Sequence, residues 1–375
     1  MKSKILLSGG GTGGHIYPAL AIADEICKKN PDVEILFAGT KEGLEKNIVP
    51  QAGYSIEYIR SAGIERRFTL ENVKNFSLAV AGLWDAKKLL DEFKPDVVIG
   101  TGGYVCGPIL LMAGLKKIPI LLQEQNAILG ITNRIVQRFA QKIALGDARA
   151  SQVLKGDLQR IKVTGNPVRP DFFQIDRQEA RRKLGISEDE KLLVITGGSR
   201  GARSLNMNSL GVHQWVKETP NLRLIHATGT TQWESFCDFL QNNSLEITDS
   251  KREIYPYLKN MPEILRSADF IISRAGALAL AEIAVCEIPS LLIPYPFAAE
   301  DHQTANARSF VEVDAAVTVA DRDLTEERMK RAVMEIFEGT EKLSQMRENV
   351  KKIAKPNATA EIADMALSLL ERVES

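Results

Sequence analysis

Short, continuous apolar runs alternate with helix-length segments along the whole chain. In the first half they read KILLSG, VEILFAG, PDVVIGTGG, IPILLQ and QKIALG; in the second, KLLVITGG, LRLIHATG, ADFIISR, PSLLIP and AAVTV. Most are unbroken rather than alternating, as expected of parallel strands covered on both faces. The pattern predicts an α/β protein built from doubly wound parallel sheets. At 375 residues the chain exceeds one ordinary core and suits two domains. Each half opens with a strand running into a glycine turn and a helix, GGGTGGH at 9–15 and GGSRGA at 197–202, and a third such turn, GGYVCG, spans 102–107. VTGNPVRPDFF (163–173), with two prolines, is the natural linker. The expected domains are therefore 1–165 and 166–357, with a last helix from about 358, after KPNAT, able to dock on either. Ligands of such sheets lie at the carboxyl ends of the strands, so the site is expected in the cleft between the domains.

The glycine turns set the chemistry. Such a turn exposes backbone N–H groups at the positive end of a helix dipole and lets a phosphate come close. Gly9, Gly11 and Gly14 fit G-x-G-x-x-G, which by itself serves backbone geometry as readily as phosphate. Three turns on matching strand ends favour a ligand. A nicotinamide or flavin site also needs an acid at the end of the second strand; here that strand ends FAGT, and Glu42 lies further on. No G-x-x-x-x-G-K-[ST] loop is present. A nucleotide sugar, with its diphosphate and ribose diol, fits better. SRAGALALAE (273–282) adds a further strand-to-helix turn whose helix start would cap a diphosphate and whose Glu282 would accept from a ribose diol; the plainer reading is a packing helix with one solvated acid. His15, beside the first glycines, stands at a helix start, where the dipole disfavours a second charge and leaves an imidazole able to accept a proton. It is read as a base or substrate contact. His213, His226 and His302 show no metal spacing, and Asp321–Asp323, a D-x-D, is expected to end in a capping box of Asp323 with Glu326 rather than a metal site.

Composition narrows the classes. Lys plus Arg and Asp plus Glu both number 48, so no overall field favours nucleic acid. Four separated cysteines (Cys27, Cys106, Cys237, Cys286) without C-x-x-C suit a reduced, cytosolic protein. The leading apolar run ILL is too short for a signal peptide, and no run of about 18 uncharged apolar residues occurs. A soluble or peripheral protein is expected. In ENVKNFSLAVAGLWDAKKLL (71–90), Val73, Phe76, Val80, Leu83 and Trp84 fall along one face, Leu78, Ala81, Leu89 and Leu90 on another, and Arg66, Arg67, Lys74, Lys87 and Lys88 flank them. One face must pack on the sheet; the other is either buried too or a surface membrane anchor.

Together, GGGTGGHIYPALAIA, PDVVIGTGGYVCGP, LLQEQNAILGITNR, VTGNPVR, TGGSRGA and SRAGALALAEIA closely resemble the MurG family, nearly end to end and in order. These are bacterial N-acetylglucosaminyltransferases that convert lipid I to lipid II in peptidoglycan synthesis. The resemblance implies a GT-B fold, two Rossmann-like domains about a cleft, with helix 358–375 returning to the first. It implies an inverting transfer from UDP-N-acetylglucosamine (UDP-GlcNAc) to the MurNAc C4 hydroxyl of lipid I, with His15 as base, no cofactor and no metal. By the same resemblance the donor would be held by Thr12, Gly13, Gly14, Asn126, Arg169, Ser199, Leu258 (at the uracil), Ala277, Leu278, Ala279, Leu280, Ala281, Glu282 and Gln303, with Asn306 beside it. Tyr104 would face the acceptor. The apolar face of 71–90, extended by Leu115, Lys116 and Lys117, would meet the anionic cytoplasmic face of the inner membrane, making the protein peripheral. Arg200 stands where the family often has Gln, and EDHQTANA departs from DRQQ at His302 and Thr304. A UDP-GlcNAc 2-epimerase or a non-catalytic nucleotide-sugar sensor are the competing classes.

Overall fold

The computed structural model describes residues 2–61, 70–337 and 339–374. It forms two compact units: Met1–Arg169 with Pro356–Ser375, and Pro170–Lys355.

The first unit holds seven parallel strands: β1 (Lys4–Gly9), β2 (Glu34–Gly39), β3 (Ser55–Tyr58), β4 (Val97–Gly102), β5 (Ile120–Glu124), β6 (Lys142–Leu145) and β7 (Ile161–Val163), in the order β3-β2-β1-β4-β5-β6-β7. Alternate residues of one strand enter two different cores. Ile5, Leu7, Val97 and Ile99 pack with helix Gly13–Lys29 and with Ile362, Ala366 and Leu369 of helix Ala358–Glu374. Leu6, Val98, Leu122 and Ile143 pack with Leu90, Ile109 and Leu110 of helices Leu70–Phe93 and Cys106–Leu115. Burial on both faces is why these strands read as unbroken apolar runs.

The second unit repeats the plan with β8 (Lys191–Thr196), β9 (Leu222–Ala227), β10 (Arg252–Tyr255), β11 (Phe270–Ser273), β12 (Ser290–Leu292) and β13 (Ala316–Thr318), ordered β10-β9-β8-β11-β12-β13, all parallel. The strand order reverses between β1 and β4 and again between β8 and β11, the points at which doubly wound sheets open a crevice for ligands.

The ten apolar runs are all strands. Three strands were not among them: β3 (SIEY), β7 (IKV) and β10 (REIY), each at a sheet edge. These strands are paired on one side only and carry charged residues, so they lack the unbroken apolar run of a central strand; the fourth edge strand, β13 (AVT), keeps one.

Candidate functional site

In the first unit the ends of β1 and β4 meet at His15. Its Nδ1 lies 3.1 Å from the carbonyl oxygen of Thr101 and 3.2 Å from Oε1 of Gln125. A carbonyl only accepts, so Nδ1 carries the proton, and in the neutral ring Nε2 holds the lone pair. Thr101 fixes the residue a second time, its Oγ1 donating to the His15 carbonyl at 2.7 Å. The ring leaves no room for a side chain at Gly102, whose Cβ would stand 2.7 Å from Nδ1. Behind the imidazole lies a buried amide network: Gln125 Nε2 donates to Thr101 O at 2.6 Å and to Gln123 Oε1, Gln123 Nε2 donates to Asn166 Oδ1 at 3.1 Å, and Asn166 Nδ2 donates to Gln125 O at 2.9 Å.

Around this centre stand the other residues predicted in this unit. Thr12 is the extended N-cap of helix Gly13–Lys29 and makes no side-chain cap, so the helix start presents the amides of Gly13 and Gly14. Asn126 is set by the buried Glu124 carboxylate, which accepts from Asn126 N (3.0 Å), Gly130 N (2.9 Å) and Asn133 Nδ2 (2.8 Å) and so curls the whole QEQNAILGITN stretch. Tyr104 lies over Gly11, its hydroxyl 3.4 Å from Thr40 Oγ1. The Arg169 guanidinium lies 6.0 Å from the centre of the Tyr17 ring.

In the second unit, GGSRGA leaves β8 with Gly198 and Gly201 at positive φ (86° and 79°), a conformation that favours glycine. Ser199 and Arg200 are exposed at its tip. Gly276 is the extended N-cap of helix Ala277–Val285, again without a side-chain cap, so Ala277, Leu278 and Ala279 form an open helix start; Leu280 is buried, Ala281 half-buried. Glu282 is half-buried about one and a half turns along. Gln303 Oε1 accepts from Ala275 N (3.2 Å) and Tyr295 N (2.9 Å), and Asn306 Nδ2 donates to Ala275 O (3.2 Å), so both brace this turn. Leu258 is buried in the segment after β10.

The D-x-D does something the sequence did not suggest. Helix Glu326–Phe337 is capped by Thr325, whose Oγ1 accepts from Arg328 N at 3.2 Å, and the expected Asp323–Glu326 box is absent. Hydroxyl capping by the residue directly before the helix displaced it. Asp321 instead accepts from Arg274 Nη1 and Ser204 Oγ, both at 2.5 Å. Arg274 also donates to the Ile293 and Pro294 carbonyls (3.0 and 3.2 Å). One largely but not fully buried ion pair thus joins the tips of β11 and β12 to the helix that follows GGSRGA. His213 and His226 form a buried pair (Nε2 to Nδ1, 3.0 Å), and His226 Nε2 lies 3.2 Å from Asn206 Oδ1. Burial lowers the pKa of both, that of His226 to about 3.

On helix Leu70–Phe93, Val80 and Trp84 are 42% and 68% exposed, while Ala86, Leu89 and Leu90 are buried; Leu83 is half-buried. Leu115 is also exposed. The side chains of Val73 and Phe76, with Arg66, Arg67 and Lys74, lie outside the described residues. The basic flank is partly neutralised: Lys87 and Lys116 pair with Asp91, and Lys88 with Glu92. No helix among the described residues is long and apolar enough to cross a membrane.

Comparison with known proteins bears on these sites. Residues 5–145 match the glycosyltransferase family 28 N-terminal domain and residues 192–362 its C-terminal domain. A UDP-N-acetylglucosamine–N-acetylmuramyl-(pentapeptide) pyrophosphoryl-undecaprenol N-acetylglucosamine transferase of Thermoanaerobacter sp. (strain X514) is 41% identical, covering 98% of this chain and 100% of that one. The crystal structure of Acinetobacter baumannii MurG matches with a TM-score of 0.76 at 26% identity, covering 98% and 99%. A UDP-GlcNAc 2-epimerase from Neisseria meningitidis bound to UDP-GlcNAc matches at 0.66 and 14% identity, covering 98% and 100%, a likeness of fold alone. Two parallel-sheet units carrying both domain patterns in order, and 41% identity along nearly the whole length, place the chain in glycosyltransferase family 28, within its MurG branch.

Proposed function

We propose that this chain transfers N-acetylglucosamine from UDP-GlcNAc to the MurNAc C4 hydroxyl of lipid I, inverting the sugar C1 and forming lipid II. The observation that carries the reading is the end-to-end identity with transferases named for that reaction. In the step itself the acceptor oxygen bonds to C1 as the bond from C1 to the UDP oxygen breaks. That bond's electron pair leaves with the diphosphate, and His15 Nε2 takes the hydroxyl proton. The Nδ1–H bond to the Thr101 carbonyl supports this role, since it selects the tautomer with a basic Nε2.

In this reading the second unit holds the donor. Leu258 lies against the uracil and Glu282 takes the ribose diol. The helix start at Ala277–Ala281, with Ser199, offsets charge growing on the diphosphate. Gln303, whose carbonyl oxygen already braces the turn, turns its amide nitrogen to a sugar hydroxyl. Thr12, Gly13, Gly14, Asn126 and Arg169 complete the donor site and Tyr104 meets the acceptor. Lipid I is bilayer-borne, so Val80, Leu83 and Trp84, with Val73 and Phe76, rest on an anionic cytoplasmic membrane face and the enzyme is peripheral. Nucleic acid has no part.

The test is release of UDP from UDP-GlcNAc with and without a lipid I analogue. A transferase releases UDP only with the acceptor; no release with either would defeat the reading. A 2-epimerase, whose fold this chain shares, would isomerise UDP-GlcNAc alone.

A further inference from the structure

Glu45 is a buried carboxylate that no step above uses, 1% exposed at the start of helix Glu45–Gln51. Its Oε2 accepts from the Gly11 amide at 3.0 Å, and its Oε1 from Thr40 N and Thr40 Oγ1, both at 2.9 Å. The chain makes way for it: a Cβ at Gly10 would lie 2.7 Å from its Oε1, one at Gly39 2.6 Å from its Cγ, and one at Gly43 would overlap the carboxylate. Among the described residues no cationic side chain forms an ion pair with it, so hydrogen bonds alone hold it. Burial of a charge persists only where its lone pairs are answered. In a dinucleotide fold the first glycine turn faces a pyrophosphate and an acid near the second strand faces the ribose. Here the acid folds inward and takes a turn amide itself.

We propose that Glu45 is a positioning residue for transfer: it ties the Gly9–Gly14 turn to Thr40 and, through the Thr40 hydroxyl, to Tyr104, so acceptor use depends on a carboxylate that touches no substrate. The proposal rests on the transferase reading above. A glutamine at this place would fill the same space but offer one acceptor oxygen, leaving its NH₂ against an N–H. Thr40 Oγ1 stands between Glu45 Oε1 and the Tyr104 hydroxyl (2.9 and 3.4 Å), so Thr40→Val cuts the second link and Thr40→Ser keeps it.

The experiment compares the full-length protein with Glu45→Gln, Thr40→Val and Thr40→Ser. It measures kcat and KM for UDP release against UDP-GlcNAc and a lipid I analogue, UDP-GlcNAc affinity by calorimetry, and glycine amides in a ¹⁵N-glycine-labelled spectrum. Glu45→Gln and Thr40→Val should lower kcat/KM for the acceptor by about 10- to 100-fold, the scale of a one-ångström misplacement. Thr40→Val, which leaves the Gly11 bond in place, should keep UDP-GlcNAc affinity, and Thr40→Ser should behave as wild type. The Gly11 amide should move in Glu45→Gln while Gly198 and Gly201 stay. Wild-type acceptor kinetics in Glu45→Gln or an unmoved Gly11 amide would overturn the proposal. Should Glu45→Gln fail to fold, equal behaviour of Thr40→Val and Thr40→Ser would overturn it. A wild-type protein that releases no UDP would instead defeat the transferase reading, and the Gly11 amide would still report on Glu45.

Discussion

In the proposed transfer, His15 serves as base because of what surrounds it. The Thr101 carbonyl and hydroxyl hold it at ring and backbone, and the Gln125–Gln123–Asn166 network keeps that carbonyl in place. Replacing it with alanine should lower kcat by about 10²- to 10⁴-fold, the range of general bases; steady-state UDP release with a saturating acceptor analogue would check this. A near-normal kcat with weakened acceptor binding would make His15 a contact instead. The pair His213–His226 makes a different prediction. Both are held neutral by burial, His226 with a pKa near 3 against an ordinary value of 6.5. Below pH 6.5 the unfolded chain takes up protons that the folded chain refuses, so stability present above that pH is lost progressively as pH falls toward 3. Denaturant midpoints measured across pH 4–7 should fall toward acid, and His226→Gln should flatten the slope. His15 was visible in the sequence because a histidine beside a glycine turn is unusual chemistry. Glu45 was not: an acid three residues from Glu42 has no local mark of being folded inward.

Among the elements, the strand tips of the second unit depend on Arg274 and Asp321. Removing one partner of a buried ion pair leaves the other charge unanswered and costs about 3–5 kcal/mol, and this pair, 12% and 17% exposed, stands at the low end. Asp321→Leu should therefore lower unfolding free energy by roughly 3 kcal/mol in chemical denaturation and raise KM for UDP-GlcNAc through movement of helix Ala277–Val285. A stable variant with unchanged KM would separate this pair from donor binding. Helix Leu70–Phe93 divides its faces between the core and solvent, and only contact with Arg60, Pro108 and the sheet decides which residues fall where. Burying a large apolar side chain is worth about 1.5–3 kcal/mol. With 68% and 42% of the surface of Trp84 and Val80 left to bury, Trp84→Ser with Val80→Ser should accordingly lower association with phosphatidylglycerol-containing vesicles about 10- to 100-fold in sedimentation. The ion pairs with Asp91 and Glu92 mean that salt should weaken this association less than the lysine count suggests.

For the whole molecule, the chain's last segment belongs with its first. Helix Ala358–Glu374 buries Ile362, Ala363, Ala366, Leu369 and Leu370 against helix Gly13–Lys29, pinned by Lys29–Asp364 (2.5 Å) and Lys162–Glu361 (2.8 Å). Ile362, Leu369 and Leu370 at about 1.5–3 kcal/mol each approach the whole stability of a domain. Truncation after residue 355 should therefore unfold the first unit and spare the second, read as loss of one transition in calorimetry with protection of the β8 and β11 amides retained. Intact protection of β1 and β4 amides in the truncated chain would refute this.

By itself the sequence determined the class of fold and the glycine turns at the ends of β1, β4 and β8. Central strands buried on both faces must be continuously apolar, and turns that bring backbone close to backbone must be glycine, so both leave a local signature. Tertiary structure alone decided the edge strands β3, β7 and β10, the inward turn of Glu45 and the pairing of Asp321 with Arg274. Each depends on which distant group arrives within hydrogen-bonding reach, and a partner 34 or 47 residues away leaves no trace in local spacing.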